Sequence, residues 1–271
     1  MNVNPSSSNQ WEHKVAVIMP CHNGAKTLSQ AVQSVIAQTF TNWELVFVDD
    51  GSTDGSPEII RAFAAGEPRI RCVRNEKASG ASNARNKALR LTRARYVAFL
   101  DSDDAWLPHK LDAQLKVMQE HGAALCCGSY DVMDASGTII GGVRPTPGPL
   151  SYRGLLMNCS VGALTAVLDR SLCGDIQFST GLATSEDYQL WLSLLRRGLV
   201  AVCLPDTVAL YRVHGKTLSS NKFAAARNRW RVYREFEHHN LVTSAIYFTG
   251  YAVTGVLKAA AMRRQRLIRK A

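Results

Sequence analysis

The segment ELVFVDDGSTDGSP, residues 44–57, passes from an apolar run to a cluster of turn-forming residues within a few positions. Its first seven residues predict a buried strand, and GSTDGSP predicts a turn. Ser56 can cap a helix whose first turn contains Pro57. The segment therefore predicts a strand, a tight turn and a helix in succession, which is the repeating unit of an α/β sheet.

Similar units precede and follow this segment. Apolar runs predict further strands at 15–20 (VAVIMP), 70–75 (IRCVRN) and 96–100 (YVAFL). Helical spacing predicts helices at 27–38, at about 82–91 and from 108 to near 122. Thr27 with Gln30 has the form of a capping box. Strands that alternate with helices predict a mostly parallel central sheet with helices on both faces, and ligands bind such sheets beyond the carboxyl ends of the strands.

The second half of the chain is less regular. Its sequence predicts a hairpin around residues 134–137, a strand at 161–170, and two strands at 201–205 (AVCLP) and 208–213 (VALYRV). Between them, SEDYQLWLSLLRRG (185–198) has the apolar spacing of an amphipathic helix, which Ser185 can cap. We predict a globular α/β domain over residues 14–221, after a polar tail at 1–13.

The net charge of +10 is unevenly distributed over the 271 residues. Thirteen basic and two acidic residues lie from Arg212 onward, against nineteen and twenty before it. This asymmetry predicts that the C-terminal part meets an anionic surface. No nucleic-acid motif accompanies the charge, so we expect an anionic membrane surface and no nucleic acid.

Residues 222–271 form the predicted tail. A basic helix at 222–240 is followed by seventeen uncharged residues at 241–257 and a second basic stretch. We expect 241–257 to be a helix that packs on the domain or lies in the membrane interface, and a membrane span is the alternative. Seven cysteines without a C-x-x-C pair and an N-terminus without an apolar stretch indicate a reduced, cytoplasmic protein.

The acidic cluster DSDD (101–104) follows the predicted strand 96–100 directly. Asp101, Asp103 and Asp104 repel one another unless a cation or a strong shift in pKa relieves them. Carboxylate oxygens suit Mg²⁺ or Mn²⁺, which commonly bind one or two carboxylates together with substrate phosphates. An acidic loop that caps the next helix explains the cluster equally well.

Other polar residues at the strand ends also allow two interpretations. Asp50 could accept a hydrogen bond from the N–H of a base or simply form a turn, and His22 could stack on a base or be a surface histidine. Arg85 could bind a phosphate or pair with Asp49 or Asp50.

Two further pairs lie in the second half. Glu186 and Asp187 are favoured by the dipole of the predicted helix, and either could act as a general base. Arg212 and His214 could contact a diphosphate or a metal, or form an ordinary surface pair.

Taken together and in this order, these motifs resemble glycosyltransferase family 2, the inverting nucleotide-sugar enzymes of GT-A fold. The resemblance covers about residues 14–220, and it rests on these segments: VAVIMPCHNG, SVIAQTFTNWELVFVDDGSTDGS, GASNARNKAL, YVAFLDSDDAWLPHKL, SEDYQLWLSLLRRG and YRVHGKTLSS. It implies a Rossmann-like GT-A domain, to which the C-terminal basic helices are added.

The resemblance also implies roles for residues of this sequence. Those that would bind the nucleotide-sugar are Pro20, His22, Asp50, Arg85, Asp101, Ser102 and Arg212. Asp101 and Asp103 form the D-x-D motif, in which Asp103 would bind Mn²⁺ or Mg²⁺, and His214 would contact the metal or the diphosphate. Asp187 would be the catalytic base, with Glu186 beside it. His22 departs from the family pattern, in which an aromatic residue such as Tyr is common at this position.

The expected activity is metal-dependent, inverting transfer of a sugar from a UDP-sugar to a hydroxyl of a glycan or lipid-linked acceptor. We expect it in the synthesis of bacterial surface polysaccharide or lipooligosaccharide, peripherally at the inner face of the cytoplasmic membrane. The alternatives are a polyprenyl-phosphate glycosyltransferase and a non-catalytic nucleotide-sugar-binding membrane scaffold.

Overall fold

The structure, a computed structural model, describes residues 15–159, 161–182, 184–213 and 222–268. His214, predicted to act with Arg212, lies outside these ranges. The strands are β1 (Val15–Cys21), β2 (Trp43–Asp49), β3 (Ile70–Arg74), β4 (Tyr96–Phe99), β5 (Ala105–Trp106), β6 (Leu125–Met133), β7 (Ile139–Val143), β8 (Gly148–Pro149), β9 (Val167–Asp169) and β10 (Ala201–Arg212). The helices are α1 (Leu28–Ile36), α2 (Ser56–Gly66), α3 (Ala81–Leu91), α4 (Lys110–His121), α5 (Tyr152–Met157), α6 (Arg170–Cys173), α7 (Glu186–Arg196), α8 (Lys222–Arg231) and α9 (Leu241–Ile268).

One mixed sheet runs through the domain in the order β3-β2-β1-β4-β9-β6-β10-β5. Its first four strands are parallel, as predicted, with Cys21 of β1 opposite Asp49 of β2. Because parallel strands end at the same edge, the polar segments after β1, β2 and β4 come together there. Beyond β4 the pairing is mixed, with β9 antiparallel to both β4 and β6.

Helices cover both faces of the sheet, as the sequence predicts. Successive side chains of a strand point to opposite faces, so β1 contributes Val17 and Met19 to one core and Ala16 and Ile18 to the other. The first core also contains buried residues of α1, α2 and α4, and the second contains those of α3 and α7. All of β1 is buried, which explains its continuous apolar sequence.

Two details of the second half differ from the predictions. The two strands predicted at 201–213 are one strand, β10, because its parallel pairing with β6 continues past Pro205 through shifts in register. The strand predicted at 161–170 is much shorter. A 3₁₀ turn precedes β9, and the Asp169 side chain accepts a hydrogen bond from the Ser171 N–H and starts α6.

The predicted helix caps are wrong. Thr27 makes no side-chain capping bond to α1, and Ser56 lies inside α2, where its hydroxyl donates to Asp54 Oδ1. Ser185 precedes α7 in the left-handed region, at φ 70°, and its side chain also makes no cap. The Thr27 hydroxyl donates to the Gly24 carbonyl instead, and the Ser56 hydroxyl also accepts from the distant Gly24 N–H.

The C-terminal segment begins with a shorter helix than predicted. After α8, a π-helical turn spans Val232–Phe236, and the chain then leaves the helix before α9. Tyr233 is fully buried, and Tyr247 and Phe248 of α9 pack against the same core as α7. None of the helices in the described ranges is long and apolar enough to cross a membrane.

Candidate active site

The loops after β1 and β2 are joined by hydrogen bonds at the carboxyl edge of the sheet. The backbone N–H of Asn23 donates to Ser52 Oγ, and that of Gly24 donates to Ser56 Oγ, each at 2.9 Å. Asn23 adopts a left-handed conformation, at φ 56°, which asparagine tolerates better than most residues. These contacts fix the position of His22 next to the second loop.

His22 is exposed, and its orientation is set by the backbone. Its Nδ1 lies 2.8 Å from the carbonyl oxygen of Asp50, which can only accept, so Nδ1 carries the proton. Nε2 faces the side-chain amide of Asn23 at 3.2 Å. Pro20 is buried within β1, opposite Val48. The structure therefore places Pro20 and His22 at the predicted edge, and their contact with uridine stays a prediction.

The carboxylate of Asp50 is buried and fully engaged. It accepts hydrogen bonds from Asn75 Nδ2 (2.7 Å), the Ser79 hydroxyl (2.8 Å), and the N–H groups of Ser79 and Gly80 (2.9 and 2.7 Å). Burial acts in the opposite direction, but these bonds lower the pKa of Asp50 below its ordinary value. Asp50 thus holds the 75–80 loop at the site, a role that the sequence did not reveal.

The acidic cluster after β4 forms a turn. The N–H of Asp104 donates to the carbonyl of Asp101 at 3.1 Å, and Asp101, Ser102 and Asp103 are half-buried. Asp104 is buried, and its Oδ1 accepts from the backbone N–H of Arg212 at 2.8 Å. The helix-cap interpretation is therefore wrong, because α4 begins at Lys110 and Asp104 bonds to β10 instead. Burial, and then the charges of Asp103 and Asp101, raise the pKa of Asp104 well above its ordinary value.

The side chain of Arg212 is hydrogen-bonded to the backbone of this acidic turn. Its Nε donates to the carbonyl of Asp103 at 2.9 Å, its Nη1 to the carbonyl of Asp134 at 3.3 Å, and its Nη2 to Gln30 Oε1. Arg212 is buried, so its guanidinium joins the acidic turn, the β6–β7 hairpin and α1. A contact with a diphosphate, as predicted, stays a prediction, because four of the five guanidinium N–H groups already have internal partners.

Arg85 connects the acidic turn to the predicted base. Its side chain is 5% exposed; Nη2 lies 2.6 Å from Asp101 Oδ1 and Nη1 lies 2.8 Å from Glu186 Oε1. The alternative in which Arg85 pairs with Asp49 or Asp50 is wrong, since Arg74 is the residue near Asp49, at 3.4 Å. Arg85 is brought there by the buried face of α3.

Glu186 and Asp187 lie in the first turn of α7, directly after the strained Ser185. Burial, and then the neighbouring charge of Asp187, raise the pKa of Glu186 to about 7, against the opposing effect of Arg85. Burial also raises the pKa of Asp187, although Arg85 and Arg229 favour its ionised form. The Asp187 carboxylate accepts a hydrogen bond from the Tyr188 N–H, at 2.7 Å.

Arg229 of α8 is buried, although the sequence analysis assigned it no role beyond the basic C-terminal tail. Its guanidinium carbon lies 3.3 Å from the ring centroid of Tyr188, the residue after Asp187, and 4.8 Å from that of Tyr251. Nothing in the spacing of the basic residues distinguished Arg229 from its exposed neighbours, because the tail's position relative to α7 is a tertiary feature.

The residues at the acidic turn fit a divalent metal that is shared with substrate. In the part of the chain that the structure describes, no group of three or more His, Cys, Asp or Glu side chains is arranged to hold a metal by itself. Asp101 and Asp103 offer carboxylate oxygens at a half-exposed edge. Two carboxylates completed by substrate phosphates are a common Mg²⁺ arrangement, so the donor set suits Mg²⁺ or Mn²⁺.

Comparison with known proteins gives consistent results. A family model described as Glycosyl transferase family 2 matches residues 16–161. The chain is 39% identical over 248 residues to the putative teichuronic acid biosynthesis glycosyltransferase TuaG of Bacillus subtilis, covering 92% of this chain and 98% of that protein. It is 36% identical over 250 residues to an Escherichia coli protein, covering 92% and 96%, whose name is UDP-Glc:alpha-D-GlcNAc-diphosphoundecaprenol beta-1,3-glucosyltransferase WfgD.

Solved structures are similar in fold. TarS of S. aureus, residues 1–349 in complex with UDP-GlcNAc, superposes with a TM-score of 0.67 at 20% identity, covering 82% of this chain and 64% of that one. The mannosyltransferase PcManGT from Pyrobaculum calidifontis, in complex with GDP-Man and Mn²⁺, gives a TM-score of 0.66 at 18% identity, covering 93% and 75%. At these identities the similarity shows the GT-A fold.

Proposed function

The chain belongs to glycosyltransferase family 2, and we propose that it transfers a sugar from a UDP-sugar to a hydroxyl of a lipid-linked glycan, with inversion and with the help of Mn²⁺ or Mg²⁺. We further propose that this transfer serves bacterial surface polysaccharide synthesis. Two proteins that resemble the chain over almost their whole length support this proposal. WfgD is named as a UDP-Glc:alpha-D-GlcNAc-diphosphoundecaprenol beta-1,3-glucosyltransferase, and TuaG as a putative teichuronic acid biosynthesis glycosyltransferase.

The observation that carries the proposal is the position of Arg85. Its guanidinium contacts Asp101, on the side where a nucleotide-sugar would bind, and Glu186, next to the proposed base. One buried cation therefore links Asp101 of the acidic turn to Glu186, which lies 101 positions after Arg85 in the sequence. A scaffold protein that only bound a nucleotide-sugar would not need the contact between Arg85 and Glu186.

The donor would lie along the edge formed by the ends of β1, β2 and β4. In this pose Pro20, His22 and Asp50 border the base, and Asp101 and Ser102 face the ribose and diphosphate. A bound Mn²⁺ or Mg²⁺, held by Asp103 with Asp101, would supply positive charge beside the leaving diphosphate. His214 and Arg212 stay candidates for the same group.

Asp187 acts as the general base in this proposal. It takes the proton from the acceptor hydroxyl as that oxygen bonds to the anomeric carbon, and the bond from this carbon to the UDP oxygen breaks in the same step on the opposite face. Glu186 has Arg85 as a direct partner, whereas Asp187 does not, so Asp187 is the freer carboxylate. A raised pKa makes Asp187 a stronger base than an exposed aspartate.

The acceptor side suits a membrane-bound substrate. The outer face of α9 exposes Val242, Ile246, Val253 and Val256, and the next residues, 258–270, include six Lys or Arg. Apolar residues with adjacent basic residues are typical of helices that bind anionic lipid surfaces. We therefore place the enzyme peripherally at the inner face of the cytoplasmic membrane. If vesicles containing anionic lipid sediment Ile246→Glu as well as they sediment wild type and Leu172→Glu, this part of the proposal is wrong.

The central test measures UDP release from a panel of UDP-sugars, with a synthetic N-acetylglucosaminyl diphosphate undecaprenol as acceptor. We expect turnover with Mn²⁺ or Mg²⁺ that is lost with EDTA and restored by added metal. Asp187→Asn should lower kcat on the order of 10²–10⁴-fold, because the base is lost. Asp206→Asn, which alters an exposed carboxylate away from the site, is the control. Unchanged turnover of Asp187→Asn would remove Asp187 as base, and turnover that persists in EDTA would remove the metal.

A further inference from the structure

Arg229 is a buried charge with two guanidinium nitrogens that lack a hydrogen-bond partner among the described residues. It is 8% exposed, and these two nitrogens, Nε and Nη1, are themselves buried. Buried guanidinium N–H groups are nearly always paired, since leaving them unpaired costs free energy. A cation kept in such a position calls for an explanation beyond packing.

Helix α8, which carries Arg229, is hydrogen-bonded to residues 181 and 184, in the segment that precedes the proposed base Asp187. Asn228 Nδ2 donates to Thr184 Oγ1 at 2.9 Å, and Arg231 Nη1 donates to the carbonyl of Gly181 at 2.9 Å. Between these two contacts, the Arg229 guanidinium stacks on Tyr188 at 3.3 Å. α8 therefore holds the chain on both sides of Asp187, including the strained residue Ser185.

The Tyr188 and Tyr251 rings also restrict how Arg229 is oriented. Both rings lie within stacking distance of the guanidinium, at 3.3 and 4.8 Å from its carbon, and they come from α7 and α9. A cation beside aromatic rings gains attraction from their faces, which offsets part of the cost of burial. Because the neutral rings do not cancel the positive charge of Arg229, this charge still favours the ionised form of Asp187.

Titratable groups of five elements interact electrostatically with Asp187. They are Glu186 of α7, Arg85 of α3, Asp101 of the turn after β4, Tyr130 of β6 and Arg229 of α8. Arg85 is already bonded to Asp101 and to Glu186. Of the two cations, Arg229 is thus the one not bonded to another carboxylate of the site.

We propose that Arg229 is a positioning residue that holds the catalytic segment in place and keeps the carboxylate of Asp187 ionised, so that the C-terminal helices complete the active site. This inference rests on the proposed function, in which Asp187 is the base. It assigns the tail a role in catalysis that is separate from any membrane contact of α9.

The test compares Arg229→Gln and Arg229→Lys with Arg227→Gln, which removes the same charge from an exposed position of the same helix. ¹³C-carboxyl NMR of aspartate-labelled protein gives the titration midpoint of Asp187, with the signal assigned by its absence in Asp187→Asn. A nearby positive charge favours the ionised carboxylate, so its removal should move the midpoint to higher pH. We expect a shift of about one pH unit for Arg229→Gln, little for Arg229→Lys and none for Arg227→Gln.

Turnover gives the second readout. The acidic limb of the kcat profile should move with the NMR midpoint, so that kcat on that limb falls about tenfold in Arg229→Gln and largely recovers in Arg229→Lys. A loss that is equal at every pH, or equal in the Gln and Lys variants, would overturn the proposal in favour of a packing role. So would an unshifted midpoint.

The outcomes separate this proposal from the proposed function. The NMR midpoint does not depend on turnover, whereas the Asp187→Asn assay tests the base alone. If circular dichroism shows that Arg229→Gln does not fold, the Arg229→Lys variant is the test. An acidic limb of kcat and an Asp187 midpoint at their wild-type pH support the proposal. A shift of either one, although the positive charge is retained, overturns it.

Discussion

The donor edge and the base segment are built in different ways. The donor edge, formed by the loops after β1 and β2, is held by backbone N–H groups that donate to Ser52, Ser56 and Asp50, with partners about 30 positions apart. The base segment around Asp187 is held by buried guanidinium groups, one of them paired with a carboxylate 101 positions away. Parallel strand ends position the first region, whereas long-range charge pairing and the C-terminal helix α8 position the second.

This difference matters because the two kinds of contact respond differently to mutation. At the donor edge the acceptors are side-chain oxygens of several residues, so the loss of one hydroxyl removes only one or two bonds of the set and costs about 1 kcal/mol per bond. When one buried cation pairs with two carboxylates, a single substitution removes both ion pairs and leaves both carboxylates without that partner. The base segment should therefore be the more fragile of the two.

The largest effect is expected for Arg85→Gln. We predict that the free energy of unfolding falls by about 3 kcal/mol, because Asp101 and the buried Glu186 lose their shared partner. Urea denaturation followed by circular dichroism measures this change. Arg61→Gln, in which the pair with Glu58 is 68% and 65% exposed, serves as the control and should cost less than about 0.5 kcal/mol. Equal losses of unfolding free energy in Arg85→Gln and Arg61→Gln would contradict the idea that the base segment is the more fragile region.

The pH dependence of wild-type turnover should show an intermediate effect. Burial raises the pKa of both Glu186 and Asp187, and the base works only when ionised, so activity should be lost as the pH falls. We predict an acidic limb with an apparent pKa above that of an ordinary aspartate, with kcat falling about tenfold per pH unit below it. Glu186→Gln removes a negative neighbour and should move this limb to lower pH. A wild-type limb near pH 4 would argue against a buried base.

The smallest effect is expected for Ser79→Ala at the donor edge. It removes the hydroxyl that donates to Asp50 at 2.8 Å but leaves the backbone bonds in place. We predict a loss of about 1 kcal/mol in stability and a raised KM for the UDP-sugar, with kcat nearly unchanged. Ser136→Ala, which removes a similar bond to Asp134 in the β6–β7 hairpin, is the control and should leave KM unchanged. A fall in kcat as large as that of Arg229→Gln would erase the distinction between the two regions.

The sequence allowed much of the donor edge to be predicted, because its residues follow strands that the apolar runs identify. Pro20, His22, Asp50 and Asp101 do lie at one edge of the sheet. The partners of Arg85 could not be predicted, since its position depends on which face of α3 is buried and on how α7 packs. The helix caps at Thr27, Ser56 and Ser185 were mispredicted. The hydroxyls of Thr27 and Ser56 donate to Gly24 and Asp54, and Ser185 adopts a left-handed conformation without a capping bond.

By itself, the sequence determined the α/β architecture and the polar strand ends, because periodicity and turn chemistry are local properties of the chain. The order of its motifs carried the resemblance to the family. Only the tertiary structure decided that Asp104 bonds to β10 and that Arg85 joins the donor edge to the base. It also decided that Arg229 of the basic tail lies against Tyr188, beside Asp187. Burial and charge pairing depend on residues that lie far apart in the sequence, so no local pattern could encode them.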